Sequence, residues 1–260
     1  MAKTRERLTA SDKNQSSALF ARHVAAYKFL PQYCRGKRVI DIGCGDGYGA
    51  NLLSKYASEV VGIDMDEATI LHARQQYTKK NITFAVGDAE SLQGLKKFDV
   101  AVSFQLIEHI HDTERYLLHI KKVLKNNGIA VLTTPNRLLR LKNNQKPWNT
   151  FHVTEYSGRS LYSLLSRHFD TVEIRGLTAT KSIYNVERRR LFIRRLISKI
   201  DPFNLYQYIP KEVSDIVLEI LRMIRRKEHR KASSVSVSDF YVSKNDVDRS
   251  LDLVAICVKK

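Results

Sequence analysis

The sequence predicts an α/β protein with a mostly parallel sheet and helices on both faces. Two observations lead to this fold class. Short apolar runs rich in β-branched residues alternate with helical patterns from residue 38 to residue 176, and such alternation is typical of βαβ units. The first apolar run also enters a glycine-rich turn and then a helical pattern. At 260 residues, the chain has room for one such domain with an appendage.

Each element follows from its local pattern. Residues 16–33 predict a leading amphipathic helix. Strands are predicted at 38–42, 59–63, 82–86, 98–104, 129–134 and 169–176, and helices at 48–57, from Asp66, from Asp112, and at 157–167. Asp66 and Asp112 can cap their helices, because a carboxylate accepts the unpaired amides of a first turn. Asn127 and Gly128 predict a left-handed end to the helix that Asp112 begins.

The alternation stops at an insertion, residues 178–248, that precedes the last apolar strand at 251–258. Apolar residues recur with helical spacing from Val213 to Ile224, which predicts an amphipathic helix. The whole chain carries a net charge of +17, and residues 181–231 hold 14 Lys or Arg against 6 Asp or Glu. We expect this insertion to cap the core. A basic face on an anionic membrane or on an acidic substrate is the alternative, ahead of nucleic acid.

The glycine turn predicts a nucleotide-type cofactor. Its glycines stand at 43, 45, 47 and 49, and Tyr48 breaks the G-x-G-x-x-G spacing of dinucleotide sites. Open amides at the start of the following helix favour an anionic group. Asp64 ends the second strand, 21 residues after Gly43, where a carboxylate can accept hydrogen bonds from ribose hydroxyls.

The segment Val39–Gly49, with the sequence VIDIGCGDGYG, resembles the first motif of class I S-adenosylmethionine-dependent methyltransferases. The resemblance continues in order through Gly87–Glu90, Phe98–Ser103, Glu108-His109 and Leu124–Gly128. It spans residues 36–175 and implies a seven-stranded Rossmann-like sheet whose last strand is antiparallel, with the helical insertion between the last two strands. S-adenosylmethionine is the cofactor that it implies.

The resemblance also assigns the cofactor site. The residues that it implies are Asp41, Gly43, Cys44, Gly45, Asp64, Met65, Asp88, Ala89 and Phe104. Gly43, Gly45 and the turn amides would surround the methionine portion. Asp64 would hold the ribose and Met65 would lie against the adenine. Asp88 and Ala89 would meet the adenine amino group.

Residues with acid–base chemistry cluster after the fourth strand, where open α/β sheets place their ligands. We expect His109 to be the general base, with His152 second and Glu108 also part of the catalytic group. A base is needed only if the acceptor is a hydroxyl that must lose its proton. The alternative is that Glu108 and His109 cap a helix or support other residues.

The acceptor side has its own resemblance. Lys146–Ser157 is similar to the N-P-x-H-V-x-E-Y segment of methyltransferases in bacterial polysaccharide and related glycan pathways, where it borders the acceptor pocket. This implies O-methylation of a sugar, a glycan or a lipid-linked saccharide. Trp148 would stack on a sugar ring or else anchor a long loop. RNA ribose 2′-O-methylation, ubiquinone-type small-molecule methylation and a cofactor-binding regulatory subunit are the other readings.

A metal site is not expected. Small-RNA 3′-end 2′-O-methyltransferases carry E-x-x-E-H after the fourth strand and a later histidine, which together hold a hard divalent ion. Here Gln105 stands where the first glutamate would be, although Glu108, His109 and His152 are present. The loss of one carboxylate weakens a site for magnesium or manganese.

The N-terminal sequence, the lengths of the apolar runs and the cysteines indicate where the protein is located. The polar N-terminus lacks the apolar core of a secretory signal and no run of 18 uncharged apolar residues occurs. Three cysteines without C-x-x-C spacing indicate free thiols in a reducing compartment. We expect a cytoplasmic protein, peripheral to the membrane if the insertion binds there. One methyltransferase domain covers 1–260, divided into a leading helix (1–35), a cofactor half (36–136), an acceptor half (137–177 and 249–260) and the insertion (178–248).

Overall fold

The computed structural model describes residues 18–200 and 235–260 except 93, 143 and 144, with the helical backbone alone for 194–200. The helices are α1 (Ala18–Phe29), α2 (Pro31–Cys34), α3 (Tyr48–Leu53), α4 (Glu67–Gln76), α5 (Thr113–Val123), α6 (Arg137–Arg140), α7 (Gly158–Leu165) and α8 (Lys181–Ile200). The strands are β1 (Arg38–Ile42), β2 (Glu59–Asp64), β3 (Ile82–Val86), β4 (Phe98–Phe104), β5 (Leu124–Pro135), β6 (Thr171–Ala179), β7 (Phe240–Ser243) and β8 (Asp252–Val258).

All eight strands join one sheet in the order β3-β2-β1-β4-β5-β8-β6-β7. Strands β1 to β5 pair in parallel, and β8 lies antiparallel between β5 and β6. The Rossmann-like α/β fold with an antiparallel last strand is therefore confirmed. The count of seven strands is wrong, because β7 adds an eighth strand at the edge of the sheet.

Strand β7 falls inside the segment assigned to the helical insertion. It pairs antiparallel with β6, and Phe240 stands opposite Ala179. Phe240 is buried in the core on the α1 face of the sheet, and this burial offsets the cost of ordering a four-residue strand. The insertion is thus helical at its start, where α8 begins at Lys181, and extended at its end.

The core divides into two layers because successive strand residues face opposite sides of the sheet. Val39 and Val102 pack with α1 and α3 on one side, whereas Ile40 and Ala101 pack with α5 and α7 on the other. Strands that are buried on both faces have mostly apolar sequences. Because β1, β2, β3 and β4 are parallel, their carboxyl ends meet at one edge of the sheet.

Both predicted helix caps are present. The Asp66 side chain accepts a hydrogen bond from the Thr69 amide at 3.0 Å, and Asp112 accepts one from Arg115 at 3.0 Å. The predicted helix at Val213–Ile224 lies outside the described residues, as do residues 1–17 and the rest of 201–234. None of the helices in the described part of the chain combines the length and apolarity that a membrane crossing requires.

Candidate active site

The glycine turn between β1 and α3 forms the floor of the candidate cofactor site. Gly43 and Gly45 have φ of +76° and +54°, values that glycine adopts without the steric cost of a side chain. The amides of Gly43 and Cys44 both donate to the carbonyl of Ile63, at 2.7 and 2.9 Å. The turn is therefore fixed to the end of β2, where the predicted ribose ligand stands.

Asp64 ties the same two elements together through its side chain. One carboxylate oxygen accepts from the Gly45 amide and the other from the Asp66 amide, each at 3.0 Å. The side chain lies at the carboxyl end of β2 and the residue is 9 % exposed. Because each carboxylate oxygen has two lone pairs, Asp64 can hold the turn and still accept from a ribose hydroxyl.

Asp41 is buried directly beneath the turn. The hydroxyl of Tyr27 donates to its carboxylate, 3.2 Å from either oxygen. Burial raises the pKa of Asp41 to about 7, and the negative charge of Asp64 adds to the rise, whereas the bond from Tyr27 opposes it. A buried carboxylate with a raised pKa favours a cationic ligand, and S-adenosylmethionine carries a sulfonium and an ammonium group. The carboxylate of Asp41 beneath the turn thus fits the positive charges of this cofactor.

Helix α1 covers the site with His23 and Tyr27, which were not among the predicted site residues. His23 is hydrogen-bonded through Nδ1 to the hydroxyl of Tyr48, and burial lowers the pKa of His23 to about 4. Tyr27 packs on Phe104 with ring centroids 4.7 Å apart. The spacing of Phe20, His23 and Tyr27 places them on one face of the first helix, which the sequence does show. Which part of the protein this face contacts depends on the fold.

The remaining predicted cofactor residues lie around the turn in three different environments. Met65 is 67 % exposed, while Asp88 is exposed and accepts from the Glu90 amide at 2.8 Å. Ala89 is partly buried beside Asp88. Cys44 is buried, and burial raises its thiol pKa, which disfavours the thiolate form that a nucleophilic cysteine needs.

The acceptor-side candidates begin in the loop after β4. Glu108 lies in a short 3₁₀ turn, Ile107–His109, and is 1 % exposed. Its side chain accepts a hydrogen bond from the Thr134 hydroxyl at 2.9 Å. Burial raises the pKa of Glu108 to about 8, against the opposing hydrogen bond from Thr134. A carboxyl group with this pKa can hold or release a proton near neutral pH.

Two histidines from different loops meet beside Glu108. The rings of His109 and His152 lie edge to face, with centroids 4.8 Å apart. Their Nδ1 atoms hydrogen-bond to the carbonyl of Phe151 at 3.0 Å and to Oε1 of Glu155 at 2.8 Å. One possible ligand atom from each of His109, His152 and Glu108 falls within 4.8 Å of the others. The structure therefore gathers all three predicted catalytic residues.

The supporting residues of this cluster were not predicted. Glu155 has a fully buried side chain and also accepts from Arg140 Nε at 2.9 Å. The Arg140 guanidinium lies 4.1 Å from the ring centroid of Trp148, and the indole N–H donates to the Arg140 carbonyl at 3.3 Å. Trp148 thus anchors the loop through its N–H and is partly covered on its ring by a cation.

Comparisons with known proteins agree with this geometry. The model of a family described as a methyltransferase domain matches residues 34–184. A probable S-adenosylmethionine-dependent methyltransferase of Mycolicibacterium smegmatis is 30% identical over 244 residues, which cover 92% of this chain and 88% of that protein. A ubiquinone biosynthesis O-methyltransferase of Pelagibacter ubique is 34% identical over 107 residues, 40% of this chain and 44% of its own.

A solved structure matches over nearly the whole fold. The crystal structure of an S-adenosylmethionine-dependent methyltransferase from Thermotoga maritima superposes with a TM-score of 0.59 at 17% identity, and the match covers 93% of each chain. At that identity the likeness shows the fold. The family match and the bacterial relative carry the assignment further: this chain belongs to the class I S-adenosylmethionine-dependent methyltransferases, and S-adenosylmethionine is its cofactor.

Proposed function

We propose that this methyltransferase acts on a hydroxyl group of a sugar or glycan, including lipid-linked saccharides. One adjacency carries the proposal. A Cβ built on Gly43 would lie 3.0 Å from Cδ2 of Leu106, so the loop that carries Glu108 and His109 packs directly against the cofactor turn. This contact supports the inference that the histidine cluster borders the position from which a methyl group would leave.

The reaction needs an acceptor oxygen in line with the methyl group and a route for its proton. Bound S-adenosylmethionine supplies a methyl group activated by the sulfonium. As the bond from the acceptor oxygen to the methyl carbon forms, the carbon–sulfur bond breaks and the hydroxyl proton departs. Placing the oxygen supplies much of the rate enhancement. The cluster of Glu108, His109 and His152 is the chemical group on the acceptor side that promotes loss of the proton.

A saccharide acceptor is supported by the loop after β5. Trp148 is partly exposed, and the Arg140 carbonyl and guanidinium hold it in place. A rigid aromatic surface beside a few oriented polar groups is typical of pockets for small polar ligands. A sugar ring has apolar C–H faces and polar edges, so it can stack on the indole while one hydroxyl points to the cluster.

The test uses S-adenosylmethionine labelled on its methyl group. The full-length protein is incubated with an extract from its own source, and lipid, polysaccharide, RNA and small-molecule fractions are counted. The Asp64→Ala variant, weakened in the cofactor site, serves as the control. We expect label in the lipid-linked or polysaccharide fraction with the wild-type protein alone. Label confined to RNA or to small aromatic compounds, or no transfer to any fraction, would contradict the saccharide assignment.

Methylation of a quinone precursor is a second candidate. The similarity to the Pelagibacter ubique ubiquinone biosynthesis O-methyltransferase supports it, and a phenolic hydroxyl would also meet the histidine cluster. The shared region covers only 40% of this chain. The labelled small-molecule fraction separates this candidate from the saccharide reading.

A further inference from the structure

Three electron-pair donors converge on one point next to the cofactor turn. One ligand atom from each of Glu108, His109 and His152 lies within 4.8 Å of the other two. Metal–ligand bonds of about 2.0–2.2 Å in the tetrahedral arrangement separate two ligand atoms of one ion by about 3.3–3.6 Å. Side-chain movements of about one ångström would therefore bring all three atoms onto a single ion.

The Nδ1 atom of each histidine is hydrogen-bonded to an oxygen atom. His109 Nδ1 is 3.0 Å from the carbonyl oxygen of Phe151, and His152 Nδ1 is 2.8 Å from Oε1 of Glu155. In a neutral imidazole, donation from Nδ1 leaves the lone pair on Nε2. Metal-binding histidines show the same arrangement, with a carbonyl or carboxylate holding the nitrogen that does not bind the ion.

The carboxylate of Glu108, the third possible ligand, is also held by a hydrogen bond. The Thr134 hydroxyl donates to Oε2 of Glu108 at 2.9 Å and orients the carboxylate. The backbone carbonyl of Glu108 accepts from the amides of Val153 and Thr154 at 2.8 and 3.2 Å. These bonds join the loop that carries Glu108 and His109 to the loop that carries His152. The convergence is therefore built by contacts between the two loops.

We propose that Glu108, His109 and His152 bind one divalent transition-metal ion. Two imidazoles and one carboxylate suit Mn²⁺, Fe²⁺, Co²⁺ or Zn²⁺, whereas Mg²⁺ and Ca²⁺ favour oxygen ligands throughout. This replaces the expectation of no metal, which rested on Gln105 standing where a second carboxylate would be. It also replaces the role of general base for His109, because a nitrogen bound to an ion cannot take a proton.

The role of the ion in the reaction rests on the proposed function, whereas its binding to the protein does not. Three protein ligands leave further coordination positions open. A hydroxyl held at one of them would have a lowered pKa and would lose its proton to solvent as the methyl group arrives. Binding of the ion itself requires no acceptor and can be measured in the protein alone.

The experiment titrates Co²⁺ into untagged full-length protein freed of metal by a chelator, and follows the visible absorption of the ion. Competition by Mn²⁺ and Zn²⁺ then ranks the ions. We expect one equivalent to bind, with binding lost in His152→Ala and Glu108→Gln. Glu155→Gln alters a residue that positions His152, so it should weaken binding roughly ten- to a hundred-fold. His111→Ala removes an exposed histidine near the cluster and is the matched control, with unchanged binding.

Cofactor titration and circular dichroism on each variant verify that the fold and the glycine turn are intact. If no saturable cobalt absorption develops, or if His152→Ala and His111→Ala bind alike, the ion site is refuted. The saccharide proposal is unaffected by either result, because it is decided by where labelled methyl groups accumulate. Conversely, a cobalt site in a protein that labels only RNA would refute the saccharide proposal and support the ion.

Discussion

The buried carboxyl group of Asp41 makes a testable prediction about stability and pH. The residue is 0 % exposed at the end of β1. Burial raises its pKa from 3.8 to about 7, helped by the charge of Asp64 and opposed by the hydrogen bond from Tyr27. Asp41→Asn replaces the carboxyl by a neutral group of the same shape that can still accept from the Tyr27 hydroxyl.

The direction in which stability changes with pH depends on whether the folded or the unfolded state holds the Asp41 proton. Between pH 3.8 and about 7 the folded protein keeps the Asp41 proton, whereas the unfolded chain has lost it. The group therefore contributes its full stability below pH 3.8 and loses it as the pH rises to about 7. The difference between a pKa of 3.8 and one of about 7 corresponds to about 4 kcal/mol. We expect Asp41→Asn to match the wild type near pH 4 and to exceed it by up to about 4 kcal/mol at pH 8.

The assay is urea unfolding of the cofactor-free protein at several pH values from 4 to 8. Asp88→Asn, at an exposed aspartate, is the control and should follow the wild-type curve. Tyr27→Phe removes a bond that favours the charged form of Asp41 and should move the loss of stability to higher pH. A difference between Asp41→Asn and wild type that stays constant across the pH range would refute the reasoning.

Three further predictions concern single contacts. Asp64→Ala should weaken S-adenosylmethionine binding roughly ten- to a hundred-fold, since a charged hydrogen bond contributes about 1.5–3 kcal/mol; calorimetry on folded protein checks this, and wild-type affinity would contradict it. Trp148→Ala should raise KM for the saccharide acceptor more than it lowers kcat, which initial rates with the labelled cofactor measure. Asn136→Ala should cost about 2–4 kcal/mol in urea unfolding, because the buried amide of Asn136 donates to the backbone carbonyls of Val247, Asp248 and Ser250 at 3.0–3.1 Å; a loss below 1 kcal/mol would contradict it.

The sequence predicted the parallel part of the fold because that part is encoded locally. Phe98–Phe104 matches the predicted strand to the residue. Five of its seven residues are apolar, and Lys97 and Gln105 bound it on either side. Strand β7 was missed because four residues carry little pattern. Its pairing depends on β6, which lies about 60 residues away in the chain.

The site divides in the same way. The glycine turn and Asp64 could be assigned from sequence because the motif and its function lie on consecutive elements. Tyr27 could not, because its role exists only where α1 crosses the turn. Glu155 was equally invisible, since its carboxylate matters through His152 and Arg140, and only the folded loops show which atoms they share.

The cost of burying Asp41 has a consequence for how the enzyme couples stability to binding. Above pH 7 the free protein holds a buried negative charge, which destabilises it. We propose that the cationic cofactor binds next to that charge and offsets this destabilisation, so that relief of the buried charge contributes to the free energy of cofactor binding. Asp41→Asn should therefore make the free protein more stable and its cofactor complex weaker at the same pH. Proteins often retain such a destabilising group where binding depends on it. If Asp41→Asn gained stability with no loss of affinity, the carboxylate would have no function in the site, and its burial would need another explanation.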